Sequence, residues 1–110
     1  EIEMTDLDMS VISLISSAGD SKAKAFEALK AVKTGEYDKA RELLAESYKV
    51  DLEAHKEQTK LIQQEMDPEA DKTPITLLMV HAQDHYMTSQ LARDLIETLI
   101  EVFESKEGGK

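Results

Sequence analysis

The chain has 110 residues, 41% of them hydrophobic, and a formal net charge of −10. That length suits one domain, residues 1–110, with a small core. The acidic balance argues against nucleic-acid backbones as partners and favours basic proteins, although solubility is an equally good reason for it. With no cysteine, the chain has no disulfide, thiolate metal site or cysteine nucleophile of its own, which fits a cytoplasmic protein. It holds no apolar run of about 18 residues for a membrane span. Its start, EIEMTDLDMS, is acidic where a secretory leader is basic, and the absence of an initial Met leaves trimming open.

The first predicted element is a helix over residues 5–34. Thr5 followed by Asp8 forms a capping box, with Asp in place of the usual Glu. Val11, Leu14, Ala18, Ala25, Leu29 and Val32 recur at helical spacing. Gly19 interrupts the pattern and suggests a bend or a close helix contact. Gly35 stops the helix.

A second, more polar helix covers residues 37–64, with Ala40, Leu43, Leu44, Val50, Ala54 and Leu61 on its apolar side. Asp51, His55, Gln58 and Thr59 lie near that side. A charged loop follows, and the third helix is placed at 74–105, with Thr73 as N-cap and Pro74 at the first helical position. No strand, repeat or low-complexity tract is persuasive. The expected fold is all-α, an antiparallel three-helix bundle.

The third helix raises a difficulty. At about 100° per residue, His81 and Asp84 fall in the middle of a face that also carries Leu77, Leu91, Leu95, Leu99 and Val102. His85 and Thr88 flank them. Val80, Ala82, Met87 and Ile100 widen that face to half the circumference or more. A helix packed on two neighbours needs only slightly over about 100°. The excess predicts self-association. Converging copies of Asp84 would repel, and a hard cation with oxygen ligands would relieve them. Tyr86 lies about 140° from His81, towards the polar side.

Three readings of His81, Asp84 and His85 stand side by side. They are hydrogen-bonded core groups; or His81 and His85, at i and i+4, chelate a zinc ion, with Asp84 poorly placed as a third ligand; or a neutral imidazole is a nucleophile that accepts a phosphoryl group. In the last case His85 or Gln58 would help orient the acceptor. Spacing alone does not separate the first from the third.

The stretch HAQDHYMTS, residues 81–89, closely resembles the HAQDHLMT motif of the lactose/cellobiose-family IIA components of the bacterial phosphoenolpyruvate-dependent sugar phosphotransferase system. ISSAGDSKAKAFEALKAVKTGEYDKARELL is similar to that family's first hairpin, EAHKEQTKLIQQE to the end of its second helix, and LARDLIETLIEVFE to its C-terminal helix. The resemblance runs roughly from Leu7 to Glu104. It implies a phosphocarrier that takes a phosphoryl group from phospho-HPr on His81, through Nε2. The group then passes to a cysteine of the cognate IIB, upstream of a membrane IIC, during uptake of a lactose-, cellobiose- or chitobiose-type disaccharide. It implies a homotrimer, nine helices in all, with Asp84 of each subunit at the axis holding one divalent metal, commonly magnesium. His85 would support the phosphorylated state. Tyr86 departs from the family's Leu, and a packing change with little effect on transfer is expected.

Overall fold

A computed structural model describes residues 4–72 and 74–108. Three helices account for most of them: α1 at Asp6–Val32, α2 at Tyr37–Met66 and α3 at Leu77–Gly108. There is no strand among the described residues.

Each helix begins and ends for a local reason. Thr5 Oγ1 accepts a hydrogen bond from the Asp8 N–H at 3.0 Å, and Asp8 Oδ2 accepts from the Thr5 N–H at 3.1 Å, so the capping box is complete. At its other end α1 closes in a Schellman pattern. The Glu36 N–H reaches back to the Ala31 carbonyl and the Gly35 N–H to that of Val32, both at 3.0 Å. Gly35 has φ 72°, a left-handed conformation that a Cβ would strain. Gly19, by contrast, lies within an unbroken helix, and a Cβ added there would meet nothing within 4 Å. It marks neither a bend nor a close contact within the chain.

The third helix starts later than its proline suggests. Residues 74–76 are not helical, and α3 begins at Leu77. Thr76 Oγ1 accepts from the Met79 N–H at 3.1 Å and so serves as the cap expected of Thr73, a residue outside those described. Pro74 ends the loop instead of opening the helix. α2 and α3 also run two and three residues past their expected ends, through Glu65–Met66 and Lys106–Gly108.

The helices run up, down and up. Ser21 faces Ser47, and His55 faces Tyr86. α1 packs along both partners, whereas α2 and α3 touch less. Two apolar clusters form the core, one from Val11, Leu14, Ala18, Ala54, Ala82 and Tyr86, the other from Ala25, Ala28, Ala31, Ala40, Ile96 and Ile100. Alanine at so many contacts lets the backbones approach closely.

A polar layer separates the two clusters. Ser21 and Ser47 exchange hydrogen bonds, each hydroxyl within 2.9 Å of the other residue's carbonyl. Ser89 is fully buried, its hydroxyl donating to the Tyr86 carbonyl at 2.8 Å, and Arg93 Nη1 meets Asp51 Oδ2 at 3.0 Å. The guanidinium also lies 4.4 Å from the centre of the Tyr48 ring.

The single chain is long and thin. Its radius of gyration is 17.3 Å, whereas a compact domain of this length has about 13 Å. A shape of that kind leaves much apolar surface uncovered. Part of it is a strip along α3, where Met87 is 61%, Leu91 64% and Leu95 57% exposed.

Candidate functional site

The chain buries a different stripe of α3 from the one its hydrophobicity favours. Ala82, Tyr86, Ser89, Arg93, Ile96 and Ile100 face α1 and α2. That stripe is centred about 100° round the helix from His81. Asp84, Leu91, Leu95 and Val102 point outward. His81 and Asp84 are therefore exposed in the single chain and not buried as core groups. The excess apolar width inferred from the sequence is real, and it is the surface the single chain leaves open.

His81 sits on the boundary between the packed and open faces. One turn on, His85 is half-buried, and its ring meets that of His81 edge to face with centroids 4.7 Å apart. His85 Nδ1 is buried with no hydrogen-bond partner among the described residues. Its accessible nitrogen is Nε2. The exposed His81 imidazole makes no hydrogen bond among the described residues and is free to take a ligand.

Asp84 has an exposed carboxylate with no ion pair or hydrogen bond among the described residues. The only local bond is to its backbone, where Thr88 Oγ1 donates to the Asp84 carbonyl at 2.8 Å. No group of three or more His, Asp or Glu side chains placed to hold a metal occurs among the described residues. Any cation at Asp84 needs ligands from elsewhere, and an unpaired carboxylate on an otherwise apolar strip is suited to receive one.

Gln58 is engaged away from His81. Its Nε2 donates to Gln83 Oε1 at 2.8 Å, and Gln83 Nε2 approaches Met79 Sδ at 3.9 Å. The structure thus joins His81 to His85 and joins Gln58 to Gln83.

Tyr86 is the clearest departure from expectation. It is 2% exposed, in the core and not on the polar side. Its hydroxyl lies 2.8 Å from His55 Nδ1 and accepts from Gln90 Nε2 at 2.9 Å. Burial, together with the nearby Asp51 charge, raises its phenol above the usual range. The polar residues noted along the inner side of α2 were the available signal for this network. Nothing in the sequence indicated that Tyr86 would be their partner.

Comparison with known proteins decides the family. The description "PTS system, Lactose/Cellobiose specific IIA subunit" matches residues 9–104. The chain belongs to that family. This IIA component is 42% identical over 104 residues to the N,N'-diacetylchitobiose-specific EIIA component of Escherichia coli K12, covering 94% of this chain and 88% of that protein. It superposes on the crystal structure of the cellobiose-specific enzyme IIA from Bacillus anthracis with a TM-score of 0.90 at 33% identity, over 98% of this chain and 97% of the other. A solution structure of the chitobiose IIA–HPr complex from Escherichia coli gives 0.79 at 39% identity, over 94% and 98%. The chain is thus a phosphoryl-transfer component of a sugar phosphotransferase system. None of its described helices is long and apolar enough to cross a membrane.

Proposed function

We propose that His81 is the phosphoryl acceptor, that the donor is phospho-HPr, and that a cysteine of a cognate IIB receives the group next. The observation that carries this reading is the exposed, unbonded imidazole of His81 set beside His85 on the boundary of an open face. A similar IIA protein has been solved with HPr, and the acidic surface here suits a basic partner.

The neutral Nε2 lone pair of His81 attacks phosphorus in line with the donor's P–N bond. That bond breaks as the new one forms, and the electron pair returns to the donor's imidazole. The open face admits the donor, while packing of Ala82 and Tyr86 on the buried face anchors the helix turn that presents the ring. His85, edge to face with His81, can donate from Nε2 to a phosphoryl oxygen. In the second step a thiolate of IIB attacks the same phosphorus from the opposite side, the P–N bond breaks with its electron pair returning to Nε2, and His81 leaves as neutral imidazole.

The working unit in this reading is a cytoplasmic homotrimer. Its support is the exposed strip of Met87, Leu91 and Leu95 and the elongated shape of the single chain. Asp84 lies on that strip, so the carboxylates of associated copies converge. A divalent cation, with Mg2+ the natural choice for oxygen ligands, would supply the charge that offsets their repulsion. Gln58 acts indirectly, by fixing Gln83 on the turn that bears His81. The sugar is a disaccharide of the lactose, cellobiose or chitobiose kind, delivered through a membrane IIC.

The test is intact mass after incubation with phosphoenolpyruvate, enzyme I and HPr. An acid-labile gain of one phosphoryl group, absent from folded His81→Ala, supports the reading. Equal uptake by that variant rules His81 out.

A further inference from the structure

The pairing of His81 with His85 has a second chemical consequence. Two neutral imidazoles one helical turn apart are a chelate for a borderline cation such as Zn2+, whose bonds to histidine nitrogen are about 2.0–2.1 Å. The ring centroids are 4.7 Å apart, which lets one cation reach both rings after modest side-chain rotation. His85 is held with Nδ1 inward and unpartnered, so Nε2 faces the outside and, in the tautomer with the proton on Nδ1, offers its lone pair there. His81 is exposed with no competing hydrogen bond. The third histidine, His55, is separate, on α2 and bonded to Tyr86.

We propose that His81 and His85 form a chelating site for a Zn2+-class cation, and that its occupancy blocks phosphoryl acceptance. No third His, Asp or Glu completes a metal group among the described residues, so water fills the remaining positions and the cation is exchangeable. This site is distinct in chemistry from the Asp84 carboxylate. Hard Mg2+ prefers oxygen and leaves the imidazoles free, whereas Zn2+ takes nitrogen. A cation on the His81 nitrogen occupies the lone pair needed for attack on phosphorus. Zinc and the phosphoryl group then compete for one atom. The binding half of this inference is independent of the proposed carrier role, and the inhibition half rests on it.

Calorimetric titration of the intact protein with ZnCl2 in excess Mg2+ tests the first half. We expect one Zn2+ per chain, an affinity at least tenfold weaker in His85→Gln, and no change in His55→Gln. Imidazole NMR signals of the unsubstituted protein give the same answer without a variant, because zinc should shift His81 and His85 and leave His55 in place. Unchanged affinity in His85→Gln, or zinc shifts confined to His55, would overturn the site. For the second half, transfer from phospho-HPr is followed with and without ZnCl2, against phospho-HPr incubated with zinc alone. Inhibition at least tenfold weaker in His85→Gln, relative to that variant's own zinc-free rate, supports competition. Full-rate transfer with zinc bound at the pair overturns it. If no transfer occurs even without zinc, the carrier reading and the competition with it fail, and the chelate is decided by calorimetry.

Discussion

The hydroxyl of Tyr86 sits between His55 Nδ1 at 2.8 Å and Gln90 Nε2 at 2.9 Å, tying α3 to α2. Gln90 can only donate through its amide nitrogen, so the phenolic hydrogen is free to go to His55. When that hydrogen goes to His55, Nδ1 is the acceptor and the ring is the tautomer with its proton on Nε2. Replacing Tyr86 by Phe keeps the ring in the core but strands His55 Nδ1 and the Gln90 amide. We expect a loss of about 1–2 kcal/mol of stability. Thermal unfolding of Tyr86→Phe, His55→Ala and the double variant should show coupling between the two sites of about 1 kcal/mol. Additive losses would mean that the hydrogen bond contributes little.

Asp51 and Arg93 form the buried charge pair of the polar layer, with Asp51 Oδ1 and Arg93 Nε unpartnered. Removing one partner is worse than removing both. Asp51→Ala should cost about 3 kcal/mol because it leaves the buried Arg93 with only the exposed Asp94 carboxylate, 3.3 Å from Nη2, as an ion-pair partner, whereas Asp51→Leu combined with Arg93→Met should cost much less. Chemical denaturation of the three proteins checks this. A double variant as weak as the single one would contradict it.

The same carboxylate predicts a pH dependence. Burial lifts the Asp51 carboxyl above its ordinary value, more than Arg93 and His55 lower it. The folded chain therefore binds this proton more readily than the unfolded chain. The stability this proton contributes is fully present below the ordinary carboxylate value of about 3.9. It is lost as pH rises through the folded value. The stability of the natural protein relative to Asp51→Asn should thus fall as pH rises across that window. A difference that instead grows with pH would mean that the ion pair outweighs burial.

Leu91 and Leu95 should be interface residues. Leu95→Lys puts a charge on the open apolar strip and should convert the proposed homotrimer to folded monomers in sedimentation velocity, with helicity unchanged. Asp84→Leu should do the opposite and leave the assembly as tight or tighter, without a need for divalent cation, because leucine suits an apolar axis better than repelling carboxylates. Dissociation of Asp84→Leu would show that the cation holds the subunits together.

Gly19 is a weak point in a helix that needs no glycine. Gly19→Ala should raise stability by about 0.5–1 kcal/mol, since a Cβ meets nothing within the chain. A loss of stability or of assembly on calorimetry would place a neighbouring subunit against that position.

The sequence by itself determined the helices, because their signals are local. The Thr5–Asp8 box and Gly35 act within one turn, and the apolar period repeats every turn. It determined the site motif as well, since His81, Asp84 and His85 lie within five consecutive residues of one helix. The start of α3 was misplaced because Pro74 and Thr76 both suit a helix entrance, and only the hydrogen bond from Met79 chooses between them. What the tertiary structure alone decided is which face of α3 turns inward. A helical wheel ranks faces by hydrophobicity, and here the most apolar face is turned outward, while the buried stripe includes Ser89 and Arg93. Those polar groups are tolerated inside because α2 supplies Asp51 for Arg93, a partner 42 residues away in the chain (93 − 51). Tyr86 enters the core for the same reason, with His55 waiting on α2. Such pairings join residues distant in sequence, and no local pattern encodes them.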